Sequence, residues 1–342
     1  MNKLLLNASK IIFFLGLGVF FIWLFMHTLT PDEKKDIFAS FKGANYSWLL
    51  VSVFIGILSH ASRTIRWMLL LAPMGYTPRF KNTFLAVMIG YFANLALPRM
   101  GEVTRCGILA RYEKIPLQKS FGTVVTERGL DLIILTLLFV ANFFIHLDKL
   151  NLFRKSKIYQ KVIASYNQIE NPGVIYWITA ICVLLIVFAL FKYRKRISHT
   201  RIYQKLKEIL LGFAEGLKSL LKIKNPYWFI FHSFFIWFCY LLMGQVVFYS
   251  LPETSHLGLD VGLSVLVFGS IGIIIIQGGI GIYPWIVAEI LILFFIPSTK
   301  GYAMGWLIWT GQTLMIISAG VVSMILLPII NNPKKNEPSG NR

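Results

Sequence analysis

The chain has 342 residues, of which 56% are hydrophobic and only 14% charged, with a mean hydropathy of +0.66. That balance excludes a soluble globular domain and makes the fold class an all-α polytopic membrane protein. The formal charge of +19 comes from Lys and Arg in loops beside apolar helices, where basic residues orient a membrane protein and meet anionic lipid, so nucleic acid is not the expected partner.

A first span is predicted over residues 10–29, uncleaved because Met26-His-Thr-Leu-Thr-Pro31 has no small-x-small site. A second follows over 47–71, carrying Arg63 and Arg66 near its end. The apolar run 80–97 then meets Pro98, which removes a backbone donor and disfavours helix in the residue before it. The arm after the break, to Arg111, is too short for a hydrocarbon core of about 30 Å at about 1.5 Å per residue, so residues 80–111 are read as a re-entrant hairpin. A span over 119–146 carries Glu127, Arg128 and Asp131, and another covers 174–191. Residues 203–224 repeat Leu206, Ile209, Leu210, Phe213, Leu217 and Leu220 at helical spacing with lysines elsewhere on the wheel, the pattern of an interfacial amphipathic helix. A span over 227–250 precedes a second broken hairpin over 261–296, interrupted at Gly278, Gly279, Gly281 and Pro284. The last span, 302–327, completes about six full crossings and two hairpins in one domain, 1–330, before a polar tail, 331–342, expected to be disordered and cytoplasmic.

Counting Lys and Arg by side gives 20 with the N-terminus, 9 on the opposite side and 5 embedded arginines of the 34. That asymmetry places both termini in the cytoplasm. The first hairpin then enters from the cytoplasm and the second from outside, an inverted pair of the kind that meets at mid-membrane in transporters.

The embedded charges carry the functional signal, because ionisable groups at membrane depth are costly. They are Arg63, Arg66, Arg99, Glu102, Arg105, Glu127, Arg128 and Asp131, with Glu289 in the second hairpin. Helical spacing puts Glu127, Arg128 and Asp131 on one side of their span and Glu102 beside Arg105. One reading pairs them structurally, Glu102 with an arginine and Asp131 with Arg128. However, desolvation offsets the gain from buried pairs, so their number favours a polar cavity. Five arginines against three carboxylates suit an anionic headgroup, since guanidinium matches phosphate in a bidentate fork. Asn94, Pro98 and Gly101 free backbone groups at the tip, which is tolerated at depth only where they line a cavity. The glycines of the second hairpin fit either close approach to a ligand or tight helix packing.

No HExxH, paired-His, GxSxG, P-loop or dinucleotide motif occurs, so no metal, cofactor or enzyme reaction is expected. Cys106, Cys182 and Cys239 are scattered, without disulfide or metal-ligand spacing.

Arg63-x-x-Arg66-Trp67, Gly90-Tyr-Phe-Ala-Asn94, Leu97-Pro-Arg-Met-Gly-Glu102 with Arg105, and Gly122-Thr-Val-Val-Thr-Glu-Arg-Gly-Leu-Asp131 together resemble the transmembrane domain of lysylphosphatidylglycerol synthase, the flippase-like half of the bacterial multiple peptide resistance factor. The resemblance is close over the first 131 residues and rests on helix pattern and the glycine-rich break beyond them. It implies a bacterial inner-membrane protein that moves, or helps move, an anionic or aminoacylated lipid between leaflets. Arg63, Arg66, Asn94, Arg99, Glu102, Arg105, Glu127, Arg128 and Asp131 would contact the headgroup. Full-length members add a cytosolic aminoacyl-transferase domain after the membrane part, and without it no synthase activity is expected. Stand-alone relatives are linked to other lipid pathways, including hopanoid and glycolipid assembly, so the family name does not identify the lipid. The alternatives are an embedded lipid-modifying transferase with Glu102, Glu127 or Asp131 as base, and a scaffold for a separately encoded lipid synthase.

Overall fold

A computed structural model describes residues 16, 19–96, 99–147 and 223–332, without the side chains of 96, 275 and 277. Leu97 and Pro98, the predicted span 174–191, nearly all of the amphipathic segment 203–224 and the tail from 333 lie outside the described residues.

The described residues form helices and no strand: α1 over 19–27, α2 (Pro31–Gly43), α3 (Ser47–Leu71), α4 (Phe80–Ala96), α5 (Met100–Tyr112), α6 (Leu117–Ile145), α7 (Pro226–Val247), α8 (Leu259–Ile275), α9 (Ile282–Ile292) and α10 (Ser298–Ile330). Four helical segments, containing α3, α6, α7 and α10, are long and apolar enough to cross a bilayer.

Two polar clusters mark opposite ends of the bundle. At one end Lys300, two residues into α10, lies 2.9 Å from Asp36 of α2 and 3.1 Å from Glu253 after α7, while Asn45 N–H donates to the Ser250 carbonyl. At the other, Arg79 donates to Glu113 at 3.0 Å and to Asn331 at 2.7 Å, and Asn82 exchanges amide hydrogen bonds with Asn331. Arg79 precedes α4 and Glu113 follows α5, so this hairpin begins and ends at one end of the bundle. With 17 residues in α4 and 13 in α5, its arms reach about 26 Å and 20 Å at about 1.5 Å per residue, each shorter than a hydrocarbon core of about 30 Å. The α8–α9 pair begins and ends at the opposite end, where Lys300 and Glu253 meet. The two helical hairpins therefore open toward opposite ends of the bundle.

Local sequence explains these elements. Thr30 and Glu33 form a capping box, Pro31 sits at the first helical position, and Asp32 and Glu33 fill the first turn of α2. Gly278, Gly279 and Gly281 have φ of 74°, 68° and 74°, which glycine alone adopts without penalty, and they turn the chain between α8 and α9. Pro284 lies within the first turn of α9, where its missing N–H costs nothing, rather than in the break. The Gly278 carbonyl accepts from Trp309 Nε1 at 2.6 Å, and the turn also touches α4, so the second tip meets the first hairpin. Small residues allow the close packing: Gly301 lies against Ala288, Gly305 against Pro284, and Gly90 against Gly101.

Candidate functional site

The site is assembled on α3, α4, α5 and α6. Positions 127 and 131 of α6 lie four apart, on the face toward α3, while residue 128 is turned about 100° away from 127 by the helical repeat. Asp131 accordingly receives two arginines, Arg63 at 2.8 Å and Arg66 at 2.9 Å. Glu127 bridges Arg105 at 2.7 Å and Arg66 at 3.6 Å. All five are buried, Arg66 and Glu127 completely. Asp131 pairs with α3 rather than with Arg128, as the structural reading had it.

Three guanidinium groups against two carboxylates leave this network one positive charge in excess, and the Nε atoms of Arg63 and Arg66 make no hydrogen bond. Aromatic groups extend it. Arg63 donates to the Tyr240 hydroxyl at 3.1 Å, and its guanidinium lies 6.0 Å from both the Tyr91 and Tyr240 ring centres. Arg105 stacks 4.5 Å over Trp67, whose Nε1 donates to Thr123 Oγ1 at 2.9 Å. Such stacking suits the planar guanidinium better than a compact ammonium.

Glu102, Arg128 and Arg99 stand outside the buried network. Arg128 donates to Glu102 at 3.0 Å, with its side chain 43% exposed. Arg99 is exposed, makes no ion pair among the described residues, and has a left-handed backbone with φ of 62°. Non-glycine residues enter that region at a cost of about 1–2 kcal/mol. Asn94 Oδ1 accepts from Gly101 N–H at 2.7 Å, tying the two arms just below the tip. A small pocket there is lined by Val87, Gly90, Tyr91, Asn94, Gly101, Glu102, Arg105 and Arg128.

Of the predicted site residues, Asn94, Glu102, Arg105 and Arg128 thus share the pocket. Arg63, Arg66, Glu127 and Asp131 are packed behind it. Gly278, Gly279 and Gly281 belong to the other hairpin. The sequence pattern did not single out Tyr240, which reaches the network from α7; its one signal is a hydroxyl-bearing ring in the middle of an apolar span. Glu289, the remaining embedded carboxylate, accepts from Trp285 Nε1 on its own helix at 3.0 Å.

Fold and site define a polytopic α-helical membrane protein with two helical hairpins that open toward opposite ends of the bundle and an ionic network buried beside the first. The chain belongs to the family described as lysylphosphatidylglycerol synthase TM region, which matches residues 11–320. A UPF0104 membrane protein of Methanocaldococcus jannaschii is 31% identical over 42% of this chain, an alignment spanning 43% of that relative. Another, of Methanothermobacter thermautotrophicus, is 23% identical over 80% of this chain and 88% of its own length. Both relatives are archaeal, so they support the membrane class and not the expected bacterial source. No solved structure matches the chain.

Proposed function

We propose that the protein moves, or assists the movement of, a lipid with a phosphate-bearing headgroup between leaflets. The observation that carries this reading is Arg99, exposed and without an ion pair among the described residues, at the tip of the first hairpin beside the half-exposed Arg128. A cation held there in a strained conformation has no packing rationale, whereas a phosphate passing the tip would neutralise it. The buried network holds α3, α5 and α6 in register behind the pocket, and its excess charge adds to the attraction for an anion. Glu102 would release Arg128 to the phosphate or receive an amine on the headgroup. The end of the bundle carrying Arg79, Lys81, Arg111 and Lys119 would face the cytoplasm.

Purified protein in liposomes should accelerate exchange of a fluorescent phosphatidylglycerol between leaflets. Arg99→Ala and Arg128→Ala should slow it while leaving the thermal midpoint near wild type. Equal exchange in protein-free and protein-containing vesicles, or full activity in both variants, would remove the proposal. The reading assigns no covalent chemistry to the chain. Deleting the protein from its host should therefore alter leaflet exposure while mass spectrometry finds every lipid species still present; a lost species would favour the transferase, and activity only with a co-purifying synthase the scaffold.

A further inference from the structure

The end of the bundle where the first hairpin begins and ends carries a second group of cations, distinct from the network behind the pocket. Lys81 is the second residue of α4, Arg111 lies one residue before the end of α5, and Lys119 is the third residue of α6. Lys114 stands in the turn between α5 and α6. All four are exposed, and none has an ion pair among the described residues. The one carboxylate at this end among the described residues, Glu113, is already taken, since it accepts from Arg79 at 3.0 Å and from Asn82. The opposite end differs in sign: there Asp32, Glu33, Asp36, Glu253 and Asp260 stand with four lysines.

Tertiary contacts draw these cations to one corner. The Arg79–Glu113 ion pair joins the base of α4 to the end of α5, and the Lys119 ammonium lies 5.5 Å from the Tyr76 ring centre, which brings the start of α6 to the chain leading into α4. Beside Lys81 and Lys119 in the chain, Phe80 and Leu117 are exposed at 42% and 39%. Apolar groups and unpaired cations side by side at helix ends match the two layers of a lipid surface, acyl chain and phosphate. The turn adds a conformational mark. Lys114 has a left-handed backbone, with φ of 58°, just past the end of α5, where glycine is the usual residue. The turn is fixed, because the Ile115 N–H returns to the Leu109 carbonyl at 3.4 Å and both side chains are buried in one cluster. Charge bias in loops is enough to orient a membrane protein. It does not require a lysine where glycine would turn the chain without strain.

We propose that this rim binds the phosphate headgroups of anionic phospholipids in the leaflet that it meets, with Lys81, Arg111, Lys114 and Lys119 as the contacts. Clusters of about 4–8 Lys and Arg next to a membrane span hold acidic lipid in this way. A cation without a carboxylate partner is open to charge-assisted hydrogen bonds from its N–H groups to phosphate oxygens. The rim lies at the base of the first hairpin, apart from the headgroup pocket near its tip, and the proposal rests on no transport step.

The test uses the full chain in a neutral detergent with phosphatidylglycerol or phosphatidylcholine added, and native mass spectrometry counts the lipid retained. A chain with Arg99→Ala and Arg128→Ala serves as the reference, because it lacks the cations of the tip and keeps the rim. It should retain phosphatidylglycerol over phosphatidylcholine, and the preference should fade as salt is raised. Lys81→Gln, Arg111→Gln, Lys114→Gln and Lys119→Gln, each added to the reference, should lower phosphatidylglycerol retention about fivefold per charge, with the thermal midpoint kept because no ion pair is lost. Lys114→Gly should lower retention as far as Lys114→Gln while raising the thermal midpoint, since glycine relieves the left-handed backbone. Inorganic phosphate should displace the lipid no better than chloride at equal ionic strength. Equal retention of the two lipids, retention indifferent to salt, or retention unchanged in all four glutamine variants would overturn the proposal. Displacement by inorganic phosphate but not by chloride would also overturn it, by giving the rim to a free anion. The salt series on the reference chain carries the test if a further substitution prevents folding. The readout is lipid held at the rim rather than exchange between leaflets, so its failure is distinct from failure of the transport reading.

Discussion

Glu127 is the residue on which the ionic network turns, because it is fully buried and serves two arginines from different helices. Removing its charge leaves Arg105 without its carboxylate and Arg66 with Asp131 alone, where water does not reach. Breaking a buried pair from one side costs about 3–5 kcal/mol. Glu127→Gln is therefore expected to lower the thermal midpoint in detergent far more than Glu102→Gln, whose carboxylate pairs at the half-exposed edge where ion pairs contribute about 0–1 kcal/mol. Arg99 behaves in the opposite sense. Its left-handed backbone is relieved by glycine, so Arg99→Gly should keep or raise the thermal midpoint while abolishing lipid exchange in liposomes. Equal loss of stability and exchange would assign Arg99 a structural role instead.

These pairings set the limit of sequence reading at this scale. The cost of ionisable groups in apolar runs is a local property, visible from composition, and every charged residue of the network was found by it. Which arginine meets which carboxylate is not local. Residue 131 has Arg128 three positions away on its own helix, yet pairs with Arg63 and Arg66, because α3 packs against the 127/131 face and the arm α5 against residue 128.

Among the elements, the first hairpin depends on two glycines as much as on its break. A Cβ added to Gly101 would strike the Gly90 carbonyl and the Asn94 amide, and one added to Gly90 would lie 2.9 Å from the Gly101 carbonyl oxygen. Gly101→Ala should separate α4 from α5 and cost about 1–3 kcal/mol, the usual cost of overpacking. Gly107→Ala, on the same helix with nothing within 4 Å, should instead raise stability by about 0.5–1 kcal/mol. Thermal unfolding of the two variants side by side checks the contrast. The hairpins were legible because an apolar arm shorter than the bilayer, ended by Pro or Gly, has few other placements. That Pro284 belongs to a helix start rather than to the break was not legible, since proline is compatible with both.

At the scale of the whole molecule, two polar clusters hold the ends of the bundle. In one of them Asp36 is held below the ordinary carboxylate range, first by the Thr299 hydroxyl hydrogen bond and then by Lys300. A carboxylate whose folded pKa is depressed contributes stability above its unfolded value of about 3.9, and loses it as pH falls through the folded value. The attachment of α2 to α10 should thus be intact at neutral pH and loosen only in acid below about pH 4. Thr299→Ala should move that loosening to higher pH, read as hydrogen exchange of the α2 amides along a pH series. Exchange in α2 that is independent of pH in both proteins would show that the cluster does not hold the helix.

Hydropathy, run length and the placement of Pro and Gly were enough to establish an α-helical membrane protein with two broken hairpins and a costly set of charges, because each of those signals is written within one or two turns of chain. Only the tertiary structure decided that the charges divide into a dry network and a half-open edge, that Tyr240 joins the network from a distant helix, and that Lys300 of α10 ties down α2 through Asp36. The physical reason is range: burial of a segment follows from its own composition, whereas the partner of a buried charge or hydroxyl is chosen by whichever helix packs against it.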